Sequence, residues 1–160
     1  MKELWDAYDR SFNRIEGLVI ERGQVIPEGV FHLVCDVAVR HTDGTYLLMQ
    51  RAYSKHLGGM WELSAGGSAL QGEEAYDCAV RELWEETGVK AVEMIEIGRS
   101  VNDDNHSLYV EFLAITDCPK DAVRMNEGET IGFRWVSETE LSAMREELAS
   151  KRTVDLILKQ

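Results

Sequence analysis

Short apolar runs separated by turn residues predict a chain built largely from β-strands. The clearest strand covers residues 31–40, which are rich in Val and Phe, and the Thr42-Asp43-Gly44 turn joins it to a partner strand, Tyr46–Arg51. Residues 10–13 predict a turn, whereas residues 19–22 fit more than one kind of element. The other predicted strands are Leu4–Tyr8, 60–64, 91–101, 108–116 and Thr130–Val136.

Three helices are predicted between and after these strands. The longest starts at about Glu73 and ends at Gly88, because glycine tolerates the left-handed conformation that closes many helices. Ser137 and Glu140 have the spacing of a capping box, which predicts that a second helix follows Ser137 directly. A last short helix is predicted from about Thr153.

The longest predicted helix has an apolar stripe that would pack on the sheet, and a loop with Gly66 and Gly67 precedes it. Strands and helices that mix without strict alternation indicate one α+β domain over residues 1–160. The expected architecture is an α/β/α sandwich around a mixed β-sheet. The predicted stripe consists of Tyr76, Ala79, Val80, Leu83 and Thr87.

Three glutamates of this helix are spaced so that their side chains converge along one flank. Glu82 lies three residues before Glu85 and four before Glu86, and such neighbours repel each other on a helix. A hard divalent cation such as Mg²⁺ or Mn²⁺ relieves the repulsion, because it prefers oxygen ligands. Arg81 lies four residues before Glu85, where it can hold one carboxylate. On spacing alone, an acidic helix face exposed to solvent is the alternative.

Specified residues recur at fixed spacing across residues 67–89, and in this spacing the segment resembles the Nudix box. The resemblance implies a Nudix fold, in which a mixed β-sheet lies between helices and the box forms a loop–helix–loop. It also implies hydrolysis of a nucleoside diphosphate linked to another moiety, with Mg²⁺ or Mn²⁺ as the cofactor. The matching residues are Gly67, Glu73, Arg81, Glu82, Leu83, Glu85, Glu86, Gly88 and Val89.

The resemblance also implies roles for residues of the box. Glu85 and Glu86 would be metal ligands, and Glu82 would be a further ligand or the base that activates water. Arg81 and Glu73 would orient these carboxylates. Gly67 would be the glycine of the loop, and Gly88 would end the helix.

Members of the family often add a carboxylate from a loop shortly before a Trp-Val pair. Trp135-Val136 fits this description, so Glu129 is the candidate for a further metal ligand and Glu127 is the reserve. A plain loop charge is the alternative for either residue.

Several residues outside the helix are candidates for substrate binding. Gly66 and Gly67 let the backbone approach a phosphate closely. Arg51 could contact the distal phosphate, and Trp61 could shape the pocket for the rest of the substrate. The same roles are open to Lys55 and His56, and to Phe31 and His32, although such charges often only face solvent and strand aromatics often only fill the core.

A broader similarity, over residues 3–90, links the chain to bacterial Nudix proteins related to isopentenyl diphosphate isomerase. It includes Leu4-Trp5-Asp6 and Met60-Trp61-Glu62. That isomerase needs a cysteine a few residues after the tryptophan, and this chain has Ser64-Ala65-Gly66-Gly67-Ser68 there. The intact box therefore favours hydrolysis, with isomerisation and a Nudix module that only binds nucleotide as the alternatives.

The composition limits which partners and which cellular location are expected for this chain. The formal net charge of −12 argues against binding a nucleic-acid duplex, so the expected partner is a small nucleotide or another diphosphate. No apolar run approaches the length of a membrane span, and the first residues lack the build of a secretory signal. The three cysteines, Cys35, Cys78 and Cys118, are typical of reduced thiols in the cytoplasm. A homodimer, an assembly frequent in the family, is compatible with the resemblance.

Overall fold

The computed structural model describes residues 2–159, and its central feature is a seven-stranded mixed sheet with the path β5-β4-β3-β8-β7. Strand β6 pairs with β3, and β9 pairs with β4. Strands β3 and β8 run parallel through the middle and are largely buried, which explains why both read as nearly continuous apolar runs. The strands of this sheet are β3 (His32–His41), β4 (Tyr46–Arg51), β5 (Trp61–Leu63), β6 (Ala65–Ser68), β7 (Glu93–Asn102), β8 (Ser107–Thr116) and β9 (Thr130–Val136).

Helices cover both faces of the sheet and enclose two separate cores. Helix α1 (Ala75–Thr87) packs on one face, where Cys35 and Val37 of β3 belong to the larger core. The helices α2 (Glu138–Ala143) and α3 (Arg152–Leu158) cover the other face, where Ala38 belongs to the second core. The α/β/α sandwich predicted from the sequence is therefore confirmed. Within residues 2–159, no helix is both long and apolar enough to cross a membrane.

A separate hairpin precedes the sheet and docks on the segment that leads into α1. It consists of β1 (Leu4–Tyr8) and β2 (Arg14–Glu21), and β2 settles the ambiguous residues 19–22 as largely strand. The amide of Gly72 donates to the Asp6 carboxylate at 2.8 Å. The amide of Gln71 donates to the Leu4 carbonyl at 2.8 Å. The hairpin therefore fixes the loop in front of the helix.

Most elements predicted from the sequence are present, with small shifts at their ends. Gly88 ends α1 with φ 70°, in the left-handed conformation that was expected. Ser137 and Glu140 form the predicted capping box in front of α2. The prediction of a loop at Gly66 and Gly67 is wrong, because both lie in β6 and pair with β3. Their small size suits a strand that packs directly against a helix.

The predicted buried face of α1 is confirmed for Ala79, Leu83 and Thr87, which are buried. It is wrong for Tyr76 and Val80, which are half exposed, and it missed Cys78, which is fully buried. The helix is thus rotated slightly from the expected stripe, and this rotation brings Glu82 and Glu86 closer to the sheet. It is tolerated because the carboxylates find hydrogen-bond partners there, as described next.

Candidate active site

The glutamates of α1 meet a second group of polar residues in a cleft of about 290 Å³, called the carboxylate cleft below. It lies between α1, strands β4 and β5, and the loop before β9. Glu129 lines it as the sequence suggested, while Glu127 is not among its lining residues. The lining consists of Met49, Gln50, Arg51, Lys55, Glu62, Ser64, Gly66, Glu82, Glu85, Glu86, Asn126, Glu129 and Thr130.

Arg81 is the hub that orients the carboxylates on this flank. Its Nε and Nη2 atoms donate to the two oxygens of Glu73, both at 2.8 Å. Its Nη1 atom donates to Glu82 at 2.8 Å and to Glu85 at 3.2 Å. Hydrogen bonds from Arg81 and from the Leu70 amide lower the pKa of Glu73 despite its burial. One guanidinium thus ties Glu73 to two of the predicted ligands.

Glu82 and Glu86 form a carboxylate pair that is costly to ionise. Burial raises the pKa of Glu86 to about 9, and the neighbouring carboxylates of Glu82 and Glu62 add to this rise. Burial also raises the pKa of Glu82, although Arg81 opposes the shift. Ionising Glu86 therefore places a second buried charge beside Glu82, a cost that a bound cation would offset.

The two glycines of β6 allow these carboxylates to come close to the backbone. A Cβ atom on Gly67 would lie 2.4 Å from the Glu82 carboxylate, and one on Gly66 would lie 2.4 Å from Asp36 Oδ1. The amide of Gly66 donates to Glu86. Gly67 therefore leaves room for a glutamate of the helix, which is a structural reason for glycine at this position of the box.

Gly67→Ala is expected to displace the Glu82 side chain and to destabilise the protein by about 1–3 kcal/mol, the usual cost of overpacking. Thermal or urea unfolding measures this. In a Glu82→Ala background the added methyl group no longer meets the carboxylate, so there the same substitution should cost clearly less. An equal cost in both backgrounds would show that the Glu82 contact is not the reason for the glycine.

Two cations and a further carboxylate complete the cleft. Arg51 pairs with Glu62, and its Nε donates to the His56 carbonyl at 2.8 Å. Lys55 pairs with Glu129. Sequence reasoning did not identify Glu62, although its place on a predicted strand two residues before Ser64 pointed the side chain to the same face.

The carboxylate oxygens fit a hard divalent cation in chemistry and in charge. Several acidic side chains share one wall, and burial raises the pKa values of Glu82 and Glu86, so a bound cation would favour their ionised forms. Among residues 2–159, no three His, Cys, Asp or Glu side chains already surround a common ion position. Glu82 and Glu85 bind Arg81 instead, so small side-chain rotations would have to accompany metal binding.

Three candidates for the substrate pocket lie elsewhere. Trp61 lines no part of the carboxylate cleft, and its ring packs on the second core, with Arg134 5.9 Å from the ring centroid. Phe31 is buried in the larger core. His32 is buried and stacks on Trp5 at 4.1 Å between ring centroids. Their aromatic character therefore reflects packing.

Comparison with known proteins identifies the family of the chain. The NUDIX domain model matches residues 30–157. An uncharacterized Nudix hydrolase of Listeria monocytogenes is 29% identical over 148 residues, which covers 89% of this chain and 85% of that protein. An isopentenyl-diphosphate Delta-isomerase of Cereibacter sphaeroides is 26% identical over 136 residues, which covers 80% of this chain and 77% of the enzyme.

Solved structures show the same fold. A crystal structure of a Deinococcus radiodurans protein is similar with a TM-score of 0.75 at 18% sequence identity, and the match covers 98% of both chains. The family model spans most of the chain, and the box residues of α1 occupy the cleft. The chain belongs to the Nudix family.

Proposed function

We propose that this protein hydrolyses a diphosphate linkage in a nucleoside diphosphate linked to another moiety, with Mg²⁺ or Mn²⁺ as the cofactor. The observation that carries the proposal is the meeting of Glu82, Glu85, Glu86 and Glu129 in one cleft that also contains Arg51 and Lys55. A hydrolase activity of some kind follows from membership of the family. The nucleotide substrate and the metal are our inference.

The four glutamates would hold the metal, which when bound would offset the charge of the diphosphate and lower the pKa of an attacking water. Glu82 would be either a further ligand or the base that accepts the proton of that water, and its hydrogen bond from Arg81 and its place in the cleft support both roles. Arg51 and Lys55 line the same cleft, where they would bind the phosphate that does not react. Glu62 restrains Arg51 by an ion pair.

The test is release of phosphate-containing products from a panel of diphosphates, with and without Mg²⁺. The panel contains nucleoside triphosphates, ADP-ribose, nucleotide sugars, dinucleoside polyphosphates and isopentenyl diphosphate. We expect metal-dependent hydrolysis of at least one nucleotide, and a loss of at least about tenfold in Glu85→Gln. The matched control is Glu93→Gln, a glutamate of β7 that lines no part of the carboxylate cleft.

Equal inactivity of wild type and Glu85→Gln on every compound would contradict the proposal. Tight nucleotide binding without turnover would instead assign the chain as a binding module.

Isomerisation of isopentenyl diphosphate is the second candidate, and the likeness to the Cereibacter sphaeroides enzyme favours it. The site argues against isomerisation, because no cysteine of residues 2–159 lines the carboxylate cleft. Cys35 and Cys78 are fully buried on the α1 face of the sheet. Conversion of isopentenyl diphosphate to its allylic isomer, followed by NMR, would reverse this preference.

A further inference from the structure

Two acidic side chains lie next to each other in the middle of the sheet, on the face that α3 covers. Asp36 of β3 and Glu111 of β8 are register partners on parallel strands, so their side chains share one face. Arg152 of α3 pairs with both carboxylates, and the Thr153 hydroxyl donates to Glu111 at 2.7 Å. None of these four residues lines the carboxylate cleft, so the proposed reaction does not account for them.

This charged network is not needed to attach the helix to the sheet. Val154 and Ile157 of α3 are buried in the second core and already hold the helix there. Apolar side chains in place of a buried ion pair often give equal or greater stability. Burial and the neighbouring Glu111 carboxylate raise the pKa of Asp36 to about 7, and Arg152 opposes this rise. Charge at this place is therefore costly, which points to a role beyond packing.

Asp36 lies directly against Gly66 of β6. The two residues are paired across β3 and β6, and a Cβ atom on Gly66 would lie 2.4 Å from Asp36 Oδ1. The amide of the same glycine donates to Glu86 of α1. A single backbone residue therefore separates the acidic pair on the α3 face from a proposed metal ligand on the α1 face.

Arg152 determines where the Asp36 carboxylate lies. Its guanidinium lies 3.6 Å from the ring centroid of Tyr109 and binds Glu111 as well as Asp36, so contacts on several sides fix its orientation. Without the arginine, Asp36 and Glu111 would be neighbouring buried carboxylates that repel each other. Asp36 is the one that can turn toward solvent, because its side chain is 22% exposed, whereas that of Glu111 is 0% exposed. Loss of Arg152 should therefore turn Asp36 away from Gly66.

We propose that Arg152 is a positioning residue, which keeps Asp36 against Gly66 and so keeps the Gly66 amide directed at Glu86. Helix α3 thereby supports the candidate metal site, although none of its residues, Arg152–Leu158, lines the carboxylate cleft. Metal ligands are commonly oriented through such outer hydrogen-bond partners. The inference rests on the proposed function in one respect, since it takes Glu86 to be a metal ligand.

The test combines Mn²⁺ titration, followed by EPR, with the NMR signal of the Gly66 amide in the metal-free protein. Arg152→Met should weaken Mn²⁺ binding by about three- to tenfold, less than the loss expected for a residue that touches a ligand directly. The amide proton of Gly66 should move upfield, toward its position in Glu86→Ala, because its hydrogen bond to Glu86 weakens. Asp36→Ala should have both effects, and the double variant should lose no more Mn²⁺ affinity than either single variant.

The matched control is Arg145→Met, which also loosens α3. Arg145 pairs with Asp155 of that helix at 2.8 Å, whereas Arg152 pairs with Asp36 and Glu111 of the sheet. We expect this variant to keep its Mn²⁺ affinity within about twofold of wild type and its Gly66 amide signal unchanged. Equal effects of Arg145→Met and Arg152→Met would show that the network only attaches the helix, and would overturn the inference.

Asp36→Ala keeps the test decisive if Arg152→Met does not fold, because Glu111 then stays paired with Arg152. A wild-type Gly66 amide signal in Asp36→Ala overturns the inference, and so does wild-type Mn²⁺ affinity in that variant. If the wild-type protein binds no Mn²⁺, the proposed function fails. The Gly66 signal of the metal-free protein still decides whether Arg152 and Asp36 position the amide.

Discussion

Replacing Glu86 by glutamine is expected to lower kcat by about two to three powers of ten, because one metal ligand is worth several kcal/mol to the transition state. The same substitution should raise the melting temperature of the metal-free protein at about pH 8. Burial raises the pKa of Glu86 to about 9, so its ionised form is costly in the fold. Glutamine fills the same space without a charge. Turnover and thermal unfolding in a chelator measure the two effects.

The stability effect should depend on pH in a defined direction. The pKa of Glu86 in the fold lies above its ordinary value of 4.5. Its contribution to stability is therefore fully present below about pH 4.5 and is lost as the pH rises through about 9. The gain from Glu86→Gln should grow over that interval. Glu85→Gln is the control, since the Glu85 side chain is 54% exposed, and a gain independent of pH would contradict this account.

Replacing Arg81 by methionine is expected to lower activity by about 10- to 100-fold, the usual cost of losing a residue that orients metal ligands. Mn²⁺ affinity should fall as well, because Glu82 and Glu85 lose their common donor. Loss of the two 2.8 Å bonds to Glu73 should also destabilise the protein by about 1–3 kcal/mol. Mn²⁺ titration and urea unfolding measure these changes separately.

Arg99→Met is the matched control for that experiment. Arg99 also binds one glutamate through two nitrogens, at 2.9 and 3.0 Å from Glu96. This pair lies on the surface, and neither residue lines the carboxylate cleft. Its loss should cost about 0–1 kcal/mol and leave Mn²⁺ affinity unchanged. Equal Mn²⁺ affinity of Arg81→Met and wild type would show that Arg81 only stabilises the helix.

The sequence predicted the strands and the helix boundaries well because these follow from local patterns. Strand residues 31–40 form a nearly continuous apolar run, and Gly88 has the conformation that a helix end requires. The fixed spacing of the box also predicted that Glu82, Glu85 and Glu86 share one flank. Each of these inferences needs only neighbours along the chain.

The buried face of α1 could be predicted only in part in this way. An apolar stripe identifies the core side of a helix only when the polar residues avoid the core, and Glu82 and Glu86 do not. Their partners, Arg81 and the glycines of β6, make the burial tolerable. Tyr76 and Val80 are displaced to the surface as a result.

Arg152 binds two carboxylates, Asp36 and Glu111, that are distant from it and from each other in the sequence. Asp36 and Glu111 are direct neighbours on parallel strands, a register that only the assembled sheet reveals. A signal was nevertheless present, since each is a single acidic residue inside an otherwise apolar strand. Such a residue is seldom buried without a partner, and here the partner is Arg152.

The β1–β2 hairpin lies outside the range that the family model matches, yet it holds the loop in front of α1. The Asp6 carboxylate accepts from Gly72, and Arg14 pairs with Glu74 at 3.2 Å. Glu73, which lies between Gly72 and Glu74, binds Arg81. Local unfolding of the hairpin would thus loosen the proposed metal ligands, so slow hydrogen exchange in β1 would report on the integrity of the candidate site. The range that the family model matches and the segments that hold α1 in place therefore have different boundaries.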